Sequence, residues 1–210
     1  PHDEKMNSAK ESAKVLIEAI KMDLKPRDIV TKKSIENAVA VIMATGGSTN
    51  LVLHLPAMAR ASGVLLDLQD FDDISQAVPL MAKVYPNGLA DVNHFHAAGG
   101  LAYMIGQLLD HGLLHGDAKT VAGEGLRHYR SEPKLRDGQL VWEEGAISTQ
   151  NDRILRPAAD PFQPTGGLRQ LSGNLGRGVI KVSAVAPERH IIEAPCRVFH
   201  DQNDVKAAFK

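Results

Sequence analysis

Apolar side chains recur along the chain at spacings that divide it into helical and strand-like stretches. "NSAKESAKVLIEAIKMD" carries Val15, Ile17, Ala19 and Ile20 among lysines and glutamates at a helical period, which predicts an amphipathic helix ended by Pro26. Thr31 can cap a second helix, with Ile35, Ala38, Val39 and Ile42 on one stripe. A third helix is predicted from about Thr49 to Ser62, closed by Gly63 and bent at Pro56, which lacks the amide donor that a helix interior uses. "GVLLDL" predicts a short buried strand, and "DFDDISQAVPLMAKV" a helix with Asp70 or Asp72 near its start. A Pro-Asn-Gly turn, an irregular polar stretch and a helix from about Leu101 to Asp110 follow.

The texture then changes. Residues 127–165 are polar and rich in proline and turn residues, with one apolar patch around Leu140 to Trp142, and predict a connector. "GVIKVSAV" and "IIEAPCRVF" alternate as strands do and have no helical period. These patterns place a domain boundary near residue 160. Residues 1–160 are expected to be an α/β domain of layered helices and short parallel strands, and residues 161–210 to begin an all-β region. The chain opens on Pro1 rather than Met and stops inside the helical "QNDVKAAFK", as a piece of a longer polypeptide would.

Composition removes several classes of function. With 43% hydrophobic and 23% charged residues, the 210-residue chain has the mix of a soluble globular protein. A formal net charge of −1 gives no basic excess for nucleic acid or an anionic membrane. No apolar run approaches the roughly 20 residues of a membrane span, and no signal-peptide pattern opens the chain. The one cysteine, Cys196, leaves no internal disulfide and fits a reducing, cytoplasmic compartment.

Candidate chemistry gathers at two places. "TGGSTN" sets Gly46, Gly47, Ser48, Thr49 and Asn50 directly ahead of an apolar run. Paired glycines let the backbone turn tightly and approach another group, and the amides of a helix start can seat an anion. The same residues also suit a plain turn with a helix cap. "DVNHFHAAGG" packs Asp91, Asn93, His94 and His96 ahead of a second glycine pair. His94 and His96 would share a face if extended, a metal-site spacing, although a hydrogen-bonding wall for a polyhydroxylated or anionic ligand suits the stretch better. His111 and His115 are expected to be exposed histidines at a helix end, and Cys196 a small, partly buried hydrophobe. Asp70, Asp72, Asp73, Glu143 and Glu144 are expected on the surface and form no catalytic pair.

Four blocks, "ATGGSTNLVLHLPAMARASGV", "VPLMAKVYPNGLADVNHFHAAGGL", "GLLHGDAKTVAGEGL" and "GGLRQLSGNLGRGVIKVSAV…IIEAPCRVFHDQNDV", resemble in order the central third of the dihydroxy-acid/6-phosphogluconate dehydratase family. "YPNGLADVNHFHAAGG" and "LSGNLGRGVIKVSAV" are similar to its 6-phosphogluconate branch, and the first 43 residues to its dihydroxy-acid branch. The resemblance implies a hydro-lyase that takes water from a 2,3-dihydroxy sugar acid to give a 2-keto-3-deoxy acid, with the dihydroxy-acid reaction as the alternative. It implies an iron–sulfur cluster acting on the departing 3-hydroxyl, a divalent metal such as magnesium at the carboxylate in some members, and a homodimer. It also implies an N-terminal α/β domain joined to a C-terminal β-barrel. The family's Cys-Asp-Lys, Cys-Thr and Asp-Gly-Arg-x-Ser-Gly motifs do not occur in this chain, so no catalytic residue is carried over, and the segment alone is expected to be inactive without bound iron. Gly46, Gly47, Ser48, Thr49, Asn50, Asp91, Asn93 and His94 are the expected substrate-facing residues. A non-catalytic phosphate- or carboxylate-binding module is the reading from another class.

Overall fold

The computed structural model describes residues 2–209. Helix α1 spans His2–Lys21 and ends in a turn where Asp23 takes a left-handed conformation and the Leu24 amide donates to the Ala19 carbonyl. Pro26 does not end this helix. It opens a one-turn helix, α2 (Pro26–Ile29), where its missing amide costs nothing. The predicted stripe on α1 is real as a pattern but largely unburied: Val15, Ile17 and Ile20 are exposed and Ala19 is half-buried. Periodicity specifies a helix, not what covers it.

Helix α3 (Lys32–Thr45) starts as predicted at Thr31, whose hydroxyl accepts from the Ser34 amide while the Ser34 hydroxyl accepts from the Thr31 amide at 2.9 Å. Thr31→Ala in the full-length protein is expected to lower stability by about 1 kcal/mol, the usual worth of a cap. An unchanged urea midpoint would contradict that. Ile35 and Val39 are buried on α3 as expected, with Ala38 and Ile42 only half-buried, while Asn37, Ala40, Met43 and Ala44 complete the buried face.

Helices α4 (Leu51–Ala61), α5 (Leu68–Ala77), α6 (Val92–Ala97) and α7 (Gly100–Asp110) follow. "GVLLDL" is not a strand: Val64, Leu66 and Leu68 alternate inward, but no neighbouring strand pairs with them among the described residues. The cap of α5 is Asp67, with Asp70 completing a capping box, and the helix stops at Ala77 because the residue before Pro79 disfavours helical geometry. The following "PLMAKV" is therefore extended. Its Met81 and Ala82 amides both donate to the Ala44 carbonyl, and its other edge bonds to residues 154–163.

The predicted connector is a hairpin, β3 (Ser131–Arg136) with β4 (Gln139–Glu144), preceded by the two-residue strands β1 (Lys119–Thr120) and β2 (Gly123–Glu124). A further hairpin joins β5 (Arg169–Gly173) to β6 (Gly176–Ile180), and α8 (Gln202–Ala208) is capped by Asp201. The chain is thus a mixture of helices and small antiparallel sheets, in place of the parallel strands expected. "IIEAPCRVF" forms no strand, and Cys196 is exposed rather than partly buried. The main core gathers Val39, Met43, Phe71, Met81, Met104, Leu108, Leu155 and Leu168, so side chains on both sides of residue 160 enter one cluster. No described helix is long and apolar enough to cross a membrane.

Candidate functional site

The glycine pair at the end of α3 carries two consecutive left-handed residues, Gly46 at φ 89° and Gly47 at φ 55°, conformations that L side chains rarely adopt. A Cβ on Gly46 would sit 1.7 Å from Asn87 Nδ2, and one on Gly47 would sit 2.4 Å from Ile42 Cγ2. The space these glycines leave is therefore filled by the chain's own side chains. Ser48 Oγ accepts from the Asn50 amide at 3.3 Å and from Asn50 Nδ2 at 3.2 Å, shaping the entry into α4. The cap position itself is Asn50, two residues beyond Ser48, and it makes no side-chain capping bond. Thr49 and Asn50 are exposed.

Two other segments fasten this turn. In the Pro-Asn-Gly turn, Asn87 donates weakly to the Thr45 carbonyl at 3.4 Å and accepts from Ser183 Oγ at 3.1 Å. Beyond β6, Lys181 Nζ donates to the Gly47 carbonyl, and the Ser183 amide and hydroxyl both lie within reach of the Gly167 carbonyl, at 3.3 and 3.2 Å. Residues from two distant parts of the sequence thus converge on "TGGSTN".

Within the stretch expected to be irregular, residues 92–97 form helix α6. Asp91 caps it by accepting from the Asn93 and His94 amides at 2.9 and 3.0 Å. The bond from the His94 amide, with His94 itself 2.8 Å away, holds the Asp91 carboxyl below its usual range, against the opposing effect of desolvation. A helix sets residues two apart about 200° around its axis, so His94 and His96 do not share a face.

The face of α6 that carries Val92, Phe95 and His96 closes a cleft of about 480 Å³. Gly47, Thr45, Asn87 and Lys181 also line it, with Leu101 at the start of α7. Of the expected residues only Gly47 lines the cleft; Gly46 lies one residue behind it. Ser48, Thr49, Asn50, Asp91, Asn93 and His94 are not among its lining residues. Sequence reasoning passed over Lys181, Asn87 and Tyr85. Lys181 did carry a signal: it is a single cation inside the apolar run "VIKV". Burial lowers its pKa from the ordinary lysine value.

The described residues do not fit a cluster or a metal ion. They contain no group of three or more histidine, cysteine and acidic side chains able to hold one, and one exposed thiol cannot by itself hold an iron–sulfur cluster. Asp72, expected on the surface, is instead buried against Arg169. His115 pairs with Glu36 at 2.6 Å.

Comparison with known proteins gives matches along most of the chain. A family model described as the N-terminal part of dihydroxy-acid/6-phosphogluconate dehydratase matches residues 1–129, and the model of the C-terminal part matches 153–210. A phosphogluconate dehydratase of Pseudomonas aeruginosa is 57% identical over 183 residues, 87% of this chain and 30% of that protein. The phosphogluconate dehydratase of Escherichia coli K12 is 50% identical over 182 residues, with the same coverage of each chain. A dihydroxy-acid dehydratase of a Polaromonas species is 42% identical over 208 residues, 99% of this chain and 35% of that protein. The chain therefore spans about a third of the length of these relatives.

Proposed function

The chain belongs to the dihydroxy-acid/6-phosphogluconate dehydratase family, and from that premise we propose that it is an internal segment of a hydro-lyase acting on a phosphorylated sugar acid. The observation that carries this reading is the difference in identity: 57% to a phosphogluconate dehydratase against 42% to a dihydroxy-acid dehydratase. The reaction would remove the C2 proton and the 3-hydroxyl of 6-phosphogluconate as water, and the enol left behind would become a 2-keto-3-deoxy acid. In this reading the segment supplies binding rather than chemistry, through the cleft between the Gly46–Gly47 turn and α6. Asp91, Asn93 and His94 then shape the cleft by fixing the start of α6.

The same proposal divides the chain near residue 160, with the β5–β6 hairpin as the first part of a C-terminal barrel whose root, Leu168, docks on the core of the preceding domain. It takes the full-length protein to be a cytoplasmic homodimer. Its iron–sulfur cluster, and any magnesium, would be held by residues outside this segment, and neither enters the binding role of the cleft.

Purified full-length protein assayed on 6-phosphogluconate and on 2,3-dihydroxyisovalerate tests the substrate. At least about a hundredfold higher kcat/KM on 6-phosphogluconate is expected, the scale that a site built to bond a polar group achieves. The reverse preference would assign the chain to the dihydroxy-acid branch.

A further inference from the structure

Lys181 is the feature of the cleft that the fold does not account for. Its ammonium carries three donors, and the hydrogen bond it makes goes to a neutral acceptor, the Gly47 carbonyl. No ion pair among the described residues includes it, and no aspartate or glutamate lines the cleft. A partly buried cation without a counter-charge is costly, and a structure that keeps one in a cavity wall is set up to receive an anion there. The neighbouring groups agree in character: Asn87 and Thr45 are neutral hydrogen-bonding side chains, and His96 of α6 lines the same cleft. The rest of the lining, Val84, Tyr85, Val92, Phe95, Gly100 and Leu101, is largely apolar.

We propose that Lys181 is the counter-charge for an oxyanion of the substrate, which sits in the cleft between the Gly46–Gly47 turn and the start of α7. The identity of that substrate rests on the dehydratase reading above; the anion site itself does not. The position has a structural logic. Lys181 follows β6, 134 residues beyond Gly47 in the chain. Its ammonium therefore joins the two matched parts of the family at one point, and an anion bound there contacts both.

The test uses the full-length enzyme with Lys181→Met and Lys181→Arg. Lys181→Met is expected to raise KM at least about tenfold, the scale of a lost hydrogen bond to a charged group, with a smaller effect on kcat. Lys181→Arg should recover most of that loss, since it restores the charge, whereas a residue that only fastened the Gly47 turn would show matched losses of melting temperature and of both kinetic constants. A rise in KM for 6-phosphogluconate but not for gluconate places the phosphate at Lys181; equal rises for both place the carboxylate there.

A second readout is independent of activity. Inorganic phosphate should protect Lys181 from an amine-acylating reagent, measured by mass spectrometry of the peptide that contains it. Protection in a protein that dehydrates neither acid would uphold the anion site and reject the dehydratase reading. Unchanged KM in Lys181→Met together with no protection by phosphate would overturn the proposal. If Lys181→Met does not fold, Lys181→Arg and the protection experiment decide alone.

Discussion

Gly167→Ala is expected to destabilise the full-length protein by about 3 kcal/mol or more, through overpacking at a point where nothing can yield. An alanine Cβ there would lie 2.4 Å from Gly46 Cα and 2.5 Å from Gly46 O. Both are backbone atoms, so no change of rotamer relieves the overlap. The Gly167 amide also donates to the Met43 carbonyl at 3.2 Å, and its carbonyl receives the Ser183 amide. Moving it disturbs the end of α3 and the segment carrying Lys181 together. Gly63→Ala is the matched control: Gly63 has φ 80° but open space around its Cβ direction, so only the left-handed strain of about 1–2 kcal/mol applies. Equal losses in the two variants, read from urea denaturation, would mean that the close approach of Gly46 and Gly167 does not hold the fold.

Removing the Asp72 carboxylate should have a comparable effect and a pH signature. Asp72 is 8% exposed and accepts from Arg169 Nε at 2.8 Å, the Gln170 amide at 2.9 Å and Gln76 Nε2 at 2.9 Å, tying α5 to β5. Asp72→Ala leaves the Arg169 cation and the Gln170 amide without this partner, a cost of about 3 kcal/mol. Burial alone would raise the Asp72 pKa, but the bonds from Gln170 and Arg169 and the Arg169 charge outweigh it and hold it below the ordinary value. A carboxyl with a folded pKa below its unfolded one contributes stability above the unfolded value of about 3.9, and loses it as pH falls through the folded value. The stability gap between wild type and Asp72→Ala should therefore be full at neutral pH and narrow below about pH 4. A gap that stays constant down to pH 2 would contradict the assignment.

These two sites explain what could and could not be anticipated from the residues alone. Helices with a cap and a sustained apolar stripe were legible: Thr31 starts α3, Gly63 follows α4, and the helix expected from Leu101 to Asp110 is α7. Extended segments were not, because their burial depends on partners far along the chain. "PLMAKV" is apolar enough for a helix face, yet Ala44 and residues 154–163 draw it into an extended path. Asp91 has the form of a binding residue and is a helix cap; Asp72 has the form of a surface residue and is a buried tie, because Arg169 lies 97 positions away. The glycine pair at 46–47 was visible at once, but its reason was not. The Cβ positions point at Asn87 and Ile42 rather than into open space, and the cleft lies beside the turn, where Lys181 enters.

The most direct test of the cleft as the substrate's seat is a structure of the full-length enzyme with 6-phosphogluconate bound. The sugar acid is expected in the cleft lined by Gly47, Asn87, His96 and Lys181, with an oxyanion within hydrogen-bond reach of Lys181 Nζ. A sugar acid seated elsewhere, with this cleft filled by side chains from the rest of the protein, would contradict that placement.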